Sequence, residues 1–296
     1  MTVIDSDAFS SPEVAAAYAV ARGMPGEQKS GLLAQLESAK AREGVLSRYR
    51  NVIDLARAVN PNYVVTPALT IIGDAIEGVL NPPPGVTRNL LVTMPPQEGK
   101  STMCAVYAPI RALQRNPNRK VVLVTYAAPL AQMHSTTCRG IIQRHGSGVR
   151  DSLTGAEVDD KIGFKLAYGA NKVSDWMIDG ADGGLVAVGI GGPITGRPAD
   201  LMIIDDPYKN MMEADSQTYR DKVNLWFSSV VHTRLAPGAP IVLVQTRWHP
   251  EDLSGTVLAA EATLPRSERS WRHINIPAIS EQGLPDALNR EHDGVP

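Results

Sequence analysis

The sequence predicts an α/β fold, a mostly parallel central sheet flanked by helices, on three observations. Apolar runs of strand length recur at residues 90–94, 120–126, 200–205 and 240–246. These runs are nearly continuous rather than alternating, as strands buried on both faces require. Segments with helical spacing of apolar residues separate the first of them, so strand and helix alternate as in crossover units.

Taken in order, residues 1–60 are polar and alanine-rich, with helical periodicity over 12–22, 31–43 and 45–59 broken by Gly23, Met24, Pro25 and Gly26. They predict a helical N-terminal appendage with a mobile start, ahead of a main domain over 61–276. Leu69, Ile72, Ile76 and Leu80 recur at helical spacing over 67–80, and Asn81 followed by three prolines stops that helix. After the strand at 90–94 a helix is expected over 101–114, then a strand over 120–126 and a helix over 130–144. Residues 146–182 are glycine-rich and charged and predict short antiparallel strands around Phe164 to Tyr168. Further strands are expected at 184–189, 200–205, 240–246 and 273–276, and from Pro277 onward the chain reads as linker.

The first strand carries the chemistry. A phosphate-binding loop needs a strand, a tight turn, and a helix start whose N–H groups and dipole favour an anion. It also needs a lysine for the outer phosphates and a hydroxyl for Mg²⁺. Leu90 to Met94 supply the strand, Gly99 permits close backbone approach, Lys100 is the cation and Ser101 the metal ligand. The usual pattern places a first glycine at position 94, where this chain has Met94, and Pro95 and Pro96 carry no N–H. The cradle is therefore expected from the amides of Gln97, Glu98, Gly99, Lys100 and Ser101, with Thr102 completing the Gly-Lys-Ser-Thr run.

Downstream, the apolar residues Leu201 to Ile204 run into Asp205, Asp206 and Pro207, as a buried parallel strand would deliver two carboxylates to its C-terminal edge. Gln245 and Thr246 end another such strand. Three strands thus bring Lys100 and Ser101, Asp205 and Asp206, and Gln245 and Thr246 to one edge, where open α/β sheets bind ligands. Asp205 is expected to hold Mg²⁺ through water and Asp206 to orient and deprotonate the attacking water, a task more often given to glutamate. Gln245 or Thr246 is placed to touch the γ-phosphate of ATP, or merely ends its strand. The charge that develops on a transferred phosphoryl group calls for an arginine, worth a factor of about 10³ or more when a neighbouring subunit supplies it. Arg139, in the helix after the second strand, and Arg197, in a glycine-rich turn, are the candidates.

The totals limit the rest. With 296 residues and 43% hydrophobic composition the chain can bury a sizeable core, and a formal charge of −2 excludes a broadly basic nucleic-acid binder. No stretch approaches the roughly 18 apolar residues of a membrane span, and the start lacks the basic residues of a signal peptide. A soluble intracellular protein with no membrane partner is expected, its two cysteines, Cys104 and Cys138, buried and reduced. His134, His145, His232 and His292 have no metal-ligand spacing and read as surface or satisfied core residues. Trp226 and Trp248 read as core anchors. Arg111, Arg115, Arg119 and Lys120 read either as a DNA or subunit contact or as a solvated helix end.

Met94 to Ser101, Thr125-Tyr126-Ala127, Gly191 to Arg197, Ala199 to Pro207 and Thr246 to His249 together resemble the large terminase subunit of tailed bacteriophages, over about residues 60–290. The resemblance implies a P-loop NTPase core of the additional-strand type, using ATP and Mg²⁺ to drive double-stranded DNA into a procapsid. It implies a homo-oligomeric ring, usually a pentamer, on the portal protein, with a small terminase subunit as partner, all in the cytoplasm of a bacterial host. Tyr63 and Pro67 would line the adenine pocket, and Arg139 would reach the adjacent subunit's nucleotide. Relatives usually carry Arg-His where this chain has Gln97 and Glu98, so an arginine acting from the loop is missing. Residues 277–296 resemble the link into a C-terminal nuclease, so no nuclease activity is expected of this fragment. Two other readings compete: a helicase or repair ATPase, and an assembly module that binds nucleotide with little turnover.

Overall fold

The computed structural model describes residues 20, 26–83, 89–194, 198–281, 283 and 285–290. The chain divides into two units, residues 1–49 and 50–296. Helix α1 (Gly26–Leu46) belongs to the first. The segment expected as one helix over 45–59 is broken: α1 ends at Leu46 and α2 (Val52–Val59) starts afresh. Asn51 makes the break, its side chain accepting from the amides of Ile53 and Asp54 and so satisfying donors that a continuing helix would use itself.

The strands of the second unit are β1 (Asn89–Thr93), β2 (Lys120–Thr125), β3 (Leu166–Lys172), β4 (Asp175–Ile178), β5 (Gly184–Gly189), β6 (Leu201–Asp205), β7 (Ile241–Gln245) and β8 (Trp271–Asn275). They form one eight-stranded sheet in the order β3-β4-β5-β2-β6-β7-β1-β8. From β5 to β8 every neighbouring pair is parallel, and β4 and β3 extend the sheet antiparallel. The fold is thus a mixed α/β fold with a central sheet and flanking helices. Every residue of β6 and β7 is buried, which accounts for their uninterrupted apolar sequences. The register sets Thr125, Asp205, Gln245, Thr93 and Asn275 at one carboxyl edge, through Thr125 opposite Asp205 and Thr93 opposite both Gln245 and Asn275.

Two helices frame β1. Helix α3 (Pro67–Leu80) opens on Thr66, whose side chain accepts from the Leu69 amide, with Pro67 in its first turn. It packs on α2 because Gly73 has no side chain: a Cβ there would lie 2.8 Å from Ile53. After the loop, a π-helical turn (Thr102–Tyr107) runs directly into α4 (Ala108–Arg115). Pro109 explains the wide turn, since it cannot donate to the carbonyl of Ala105 and its ring crowds that oxygen. The Ala108 amide reaches back to Met103 instead, and the Cys138 thiol sits 3.7 Å from the Ala105 oxygen and 3.4 Å from that of Val106. Cys138 comes from α5 (Ala128–His145), which follows β2. Both cysteines are buried and free.

The basic run at the end of α4 serves the interior. Arg111 is 1% exposed and donates Nε to Glu77 of α3 at 2.8 Å, and Arg115 pairs with the other oxygen of Glu77. Arg119 donates to the Leu80 carbonyl. Arg111 and Arg115 are therefore neither a solvated helix end nor an open DNA surface; the Glu77 carboxylate between α3 and α4 claims them. Helices α6 (Met211–Asp215), α7 (Gln217–Trp226) and α8 (His232–Arg234) lie between β6 and β7, and α9 (Leu253–Ala262) follows β7. Trp226 is buried and Trp248 packs against the same apolar cluster, as core anchors do. Residues 285–290 return to β8: the Ala287 amide donates to Asn275, and Arg290 to Pro277 and Asp286.

Candidate functional site

The loop between β1 and the π turn places its groups one by one. Gln97 and Gly99 both adopt positive φ, 66° and 82°, which turns the chain sharply after the two prolines. A Cβ at Gly99 would also lie 3.3 Å from Leu69, so α3 closes directly on the loop. The Met103 amide donates to the Gly99 carbonyl at 3.0 Å, which makes Gly99 the residue that opens the helix. Lys100, Ser101 and Thr102 then form its first turn, where N–H groups have no intrahelical acceptor and an anion is favoured.

Lys100 is 4% exposed, and its Nζ lies 3.2 Å from Asp206 Oδ2. The Ser101 hydroxyl does not cap the helix; it donates to Asp205 Oδ1 at 3.0 Å. Consecutive loop residues thus meet consecutive carboxylates. Period-two alternation would send Asp205 and Asp206 to opposite faces, and a left-handed backbone at Asp206, φ 43°, turns the second back. That conformation is pinned from both sides. The Asp206 amide donates to Val244, its Oδ1 accepts from the Thr246 amide at 2.9 Å, and its carbonyl accepts from Tyr126. Burial raises the Asp206 carboxyl above the ordinary aspartate range; the neighbouring Asp205 charge adds to this, and Lys100 with the Thr246 amide opposes it.

Asp205 itself is 1% exposed. His134, expected as a surface or satisfied core histidine, is instead buried with Nε2 3.4 Å from Asp205 Oδ2, and neither atom makes a hydrogen bond. A signal for this was present: α5 leaves the sheet at the carboxyl edge, so its first turns line that edge whatever they carry. Gln245 is also buried, with neither side-chain amide atom partnered. The Met94 amide donates to the Gln245 carbonyl at 3.3 Å, tying the loop to β7.

No protein-family model and no curated protein sequence matches the chain. Solved structures are similar to the chain. The chain resembles the crystal structure of the HK97 bacteriophage large terminase at 12% identity and a TM-score of 0.47, over 75% of this chain. It spans 41% of that protein's length.

The other expected residues lie as follows. The Tyr63 ring meets the Tyr107 ring edge to face at 5.1 Å, beside the π turn, and Pro67 starts the helix that closes on Gly99. Burial, then Tyr107 and Cys104, push the Tyr63 phenol up, and its hydroxyl has no hydrogen-bond partner. Arg139 is half-buried on α5, five residues past His134 and about 140° round the helix from it. Arg197 falls outside the described residues, as does His292. Among the described residues no group of three or more His, Cys, Asp or Glu is arranged to hold a metal ion, and no helix is long and apolar enough to cross a membrane.

Two features had no counterpart in the sequence reading. Asp252, 0% exposed, organises the turn after Thr246: it accepts from Arg247 Nε at 2.9 Å, from the amides of Trp248 and His249, and from Gly255 at the start of α9. Behind the loop, the Thr93 hydroxyl donates to Asn275 at 2.6 Å and accepts from His273 Nε2 at 2.8 Å. Burial, helped by Arg247, lowers the His273 imidazole to about 4, so it is neutral and its Nε2 carries the proton.

Proposed function

We propose that this chain is a P-loop ATPase of the additional-strand type and serves as the ATP-hydrolysing domain of a DNA-packaging motor. The observation that carries the reading is the pairing of Lys100 with Asp206 and of Ser101 with Asp205, across the intervening strand β7. An NTP site needs a lysine and a hydroxyl from one strand-loop-helix, and carboxylates from a second strand, converging at one edge.

A magnesium ion suits these residues. Ser101 and Asp205 offer hard oxygen donors only, side by side at the sheet edge. With no larger ligand cluster among the described residues, phosphate oxygens and water would complete the coordination. When bound, the ion neutralises charge on the β- and γ-phosphates. The chain's own residues do the rest. The amides of Gln97 to Ser101 cradle the phosphates, and Lys100 leaves Asp206 for the γ-phosphate oxygens. Asp206, freed, accepts a proton from the attacking water, and its raised pKa moves a carboxylate toward the range where a base works near neutral pH. Water adds to the γ-phosphorus as the bond to the β–γ bridging oxygen breaks, giving ADP and inorganic phosphate. Thr246, or Gln245 with its unspent buried amide, reports that loss. Tyr63 and Pro67 bound the adenine.

The motor assignment rests on the motifs from Met94 to His249 that resemble large terminase subunits. It makes double-stranded DNA, a portal protein and a small terminase subunit the partners, and Arg139 the arginine offered to a neighbour in the ring. Phosphate release by the wild type and its loss in Lys100→Ala test the ATPase. DNA-stimulated turnover without strand displacement separates a packaging motor from a helicase, and tight ATP binding with no release in any oligomeric state would establish an assembly module instead.

A further inference from the structure

Asp205 has two carboxylate oxygens and only one of them is accounted for. Oδ1 accepts from Ser101, whereas Oδ2 is shut away from solvent with no hydrogen bond. Facing it at 3.4 Å is His134 Nε2, equally buried and equally without a partner. Two such orphans are costly apart and are the acceptor and donor halves of one hydrogen bond when the imidazole carries its proton on Nε2. The separation is a contact distance with poor alignment, and contacts of this kind tighten when a site is filled.

We propose that His134 is the positioning residue for Asp205: its ring N–H holds Oδ2, so that Oδ1 stays turned to Ser101 and to the divalent cation. The proposal rests on the reading of Ser101 and Asp205 as the cation-binding pair. A carboxylate at a strand end can rotate about its last bond, and Ser101 alone fixes one oxygen. A ring N–H donor from His134 fixes the second. The donor also comes from a rigid element, since α5 packs against β2 and β5 and reaches the loop helix through Cys138. His134 lies six residues into that helix, near enough to its start to stay at the carboxyl edge.

The test compares His134→Phe, which keeps a ring and loses the nitrogen, with His134→Gln, whose amide N–H reaches about as far as Nε2. Mn²⁺ uptake is measured by loss of the free-ion electron paramagnetic resonance signal, with a non-hydrolysable ATP analogue present, alongside the thermal midpoint. Loss of an outer partner of a metal ligand weakens metal affinity about 10–100-fold, so His134→Phe is expected in that range and His134→Gln within about threefold of wild type. Wild-type affinity in a folded His134→Phe overturns the proposal. So does equal weakening in both variants with a matching fall in midpoint, which is the signature of a packing role. Should the Phe variant not fold, His134→Asn, whose amide falls short, takes its place with the same expectation. Failure of the wild type to take up Mn²⁺ with the analogue overturns the cation site itself, an outcome distinct from a silent His134.

Discussion

Lys100 and Asp206 form an ion pair across the sheet edge, Nζ to Oδ2 at 3.2 Å. The lysine is almost fully buried and the carboxylate partly so. In the proposed reaction they work on different oxygens, so binding must exchange this ion pair for a lysine–phosphate contact. Removing either one separates binding from chemistry.

Lys100→Ala deletes the cation aimed at the outer phosphates, and phosphate release should fall on the order of 10²–10³-fold. The chain should still fold, because Asp206, left without the lysine, is partly exposed and keeps the Thr246 amide as a donor. Circular dichroism and a phosphate assay on the same sample check both halves.

Asp206→Asn should lower turnover by about 10²–10⁴-fold, since the amide cannot take a proton. Its effect on stability has the opposite sign. A carboxyl whose folded pKa is raised binds protons more tightly in the folded state, so its contribution is fully present below the unfolded value near 4 and is lost as pH rises through the folded value. The asparagine cannot ionise and tolerates the left-handed φ. Its thermal midpoint should match or exceed that of the wild type at pH 8, with the gap closing toward pH 4. A variant less stable than wild type at pH 8 would count against a disfavoured charge at this position.

Arg139→Ala tests the ring. Specific activity of the wild type should climb with protein concentration, and the variant should lose about 10³-fold while still binding nucleotide. Specific activity that is flat with concentration and indifferent to the substitution would assign each monomer its own site.

Glu77→Ala takes the carboxylate away from Arg111, which is buried at 1% exposure, and from Arg115. Breaking a buried pair from one side costs about 3–5 kcal/mol, whereas Glu77→Gln, which keeps an acceptor, should cost less. Urea unfolding measures the difference, and turnover under native conditions should be unchanged in both.

Gly99→Ala imposes a side chain at φ 82° and 3.3 Å from Leu69. The left-handed backbone alone costs about 1–2 kcal/mol for an L-residue. A rise in the nucleotide dissociation constant larger than the loss in stability would be expected, because relief of the strain moves the loop amides.

Much of this was legible because parallel strands buried on both faces announce themselves. Leu201 to Ile204 and Ile241 to Val244 are apolar without interruption, and their last residues define the edge. Helix α3 was readable to its ends because Pro67 and Asn81 bound it chemically. Long-range pairing was not legible. Nothing local distinguishes His134 from any other helical histidine, and its neighbour Asp205 lies on a strand reached only through the fold. The same holds for Arg111, whose exposed-looking basic context hides a partner 34 residues earlier. Asp252 reads as an ordinary helix cap, and only the tertiary turn reveals that it also gathers Arg247, Trp248 and His249.

The sheet order also dictates when the site can exist. Strand β1 lies between β7 and β8, so both of its neighbours are synthesised long after it, and the hydrogen bond from Thr93 to Asn275 spans 182 residues. At about 5–20 residues per second, a ribosome needs roughly 10–40 s to cover that gap. Throughout that time the nascent chain displays a finished Gly-Lys-Ser-Thr sequence on a strand with no partners, its apolar edges open to chaperones or to other chains. Met94 and Thr93 meet their partners Gln245 and Asn275 only once β7 and β8 have emerged.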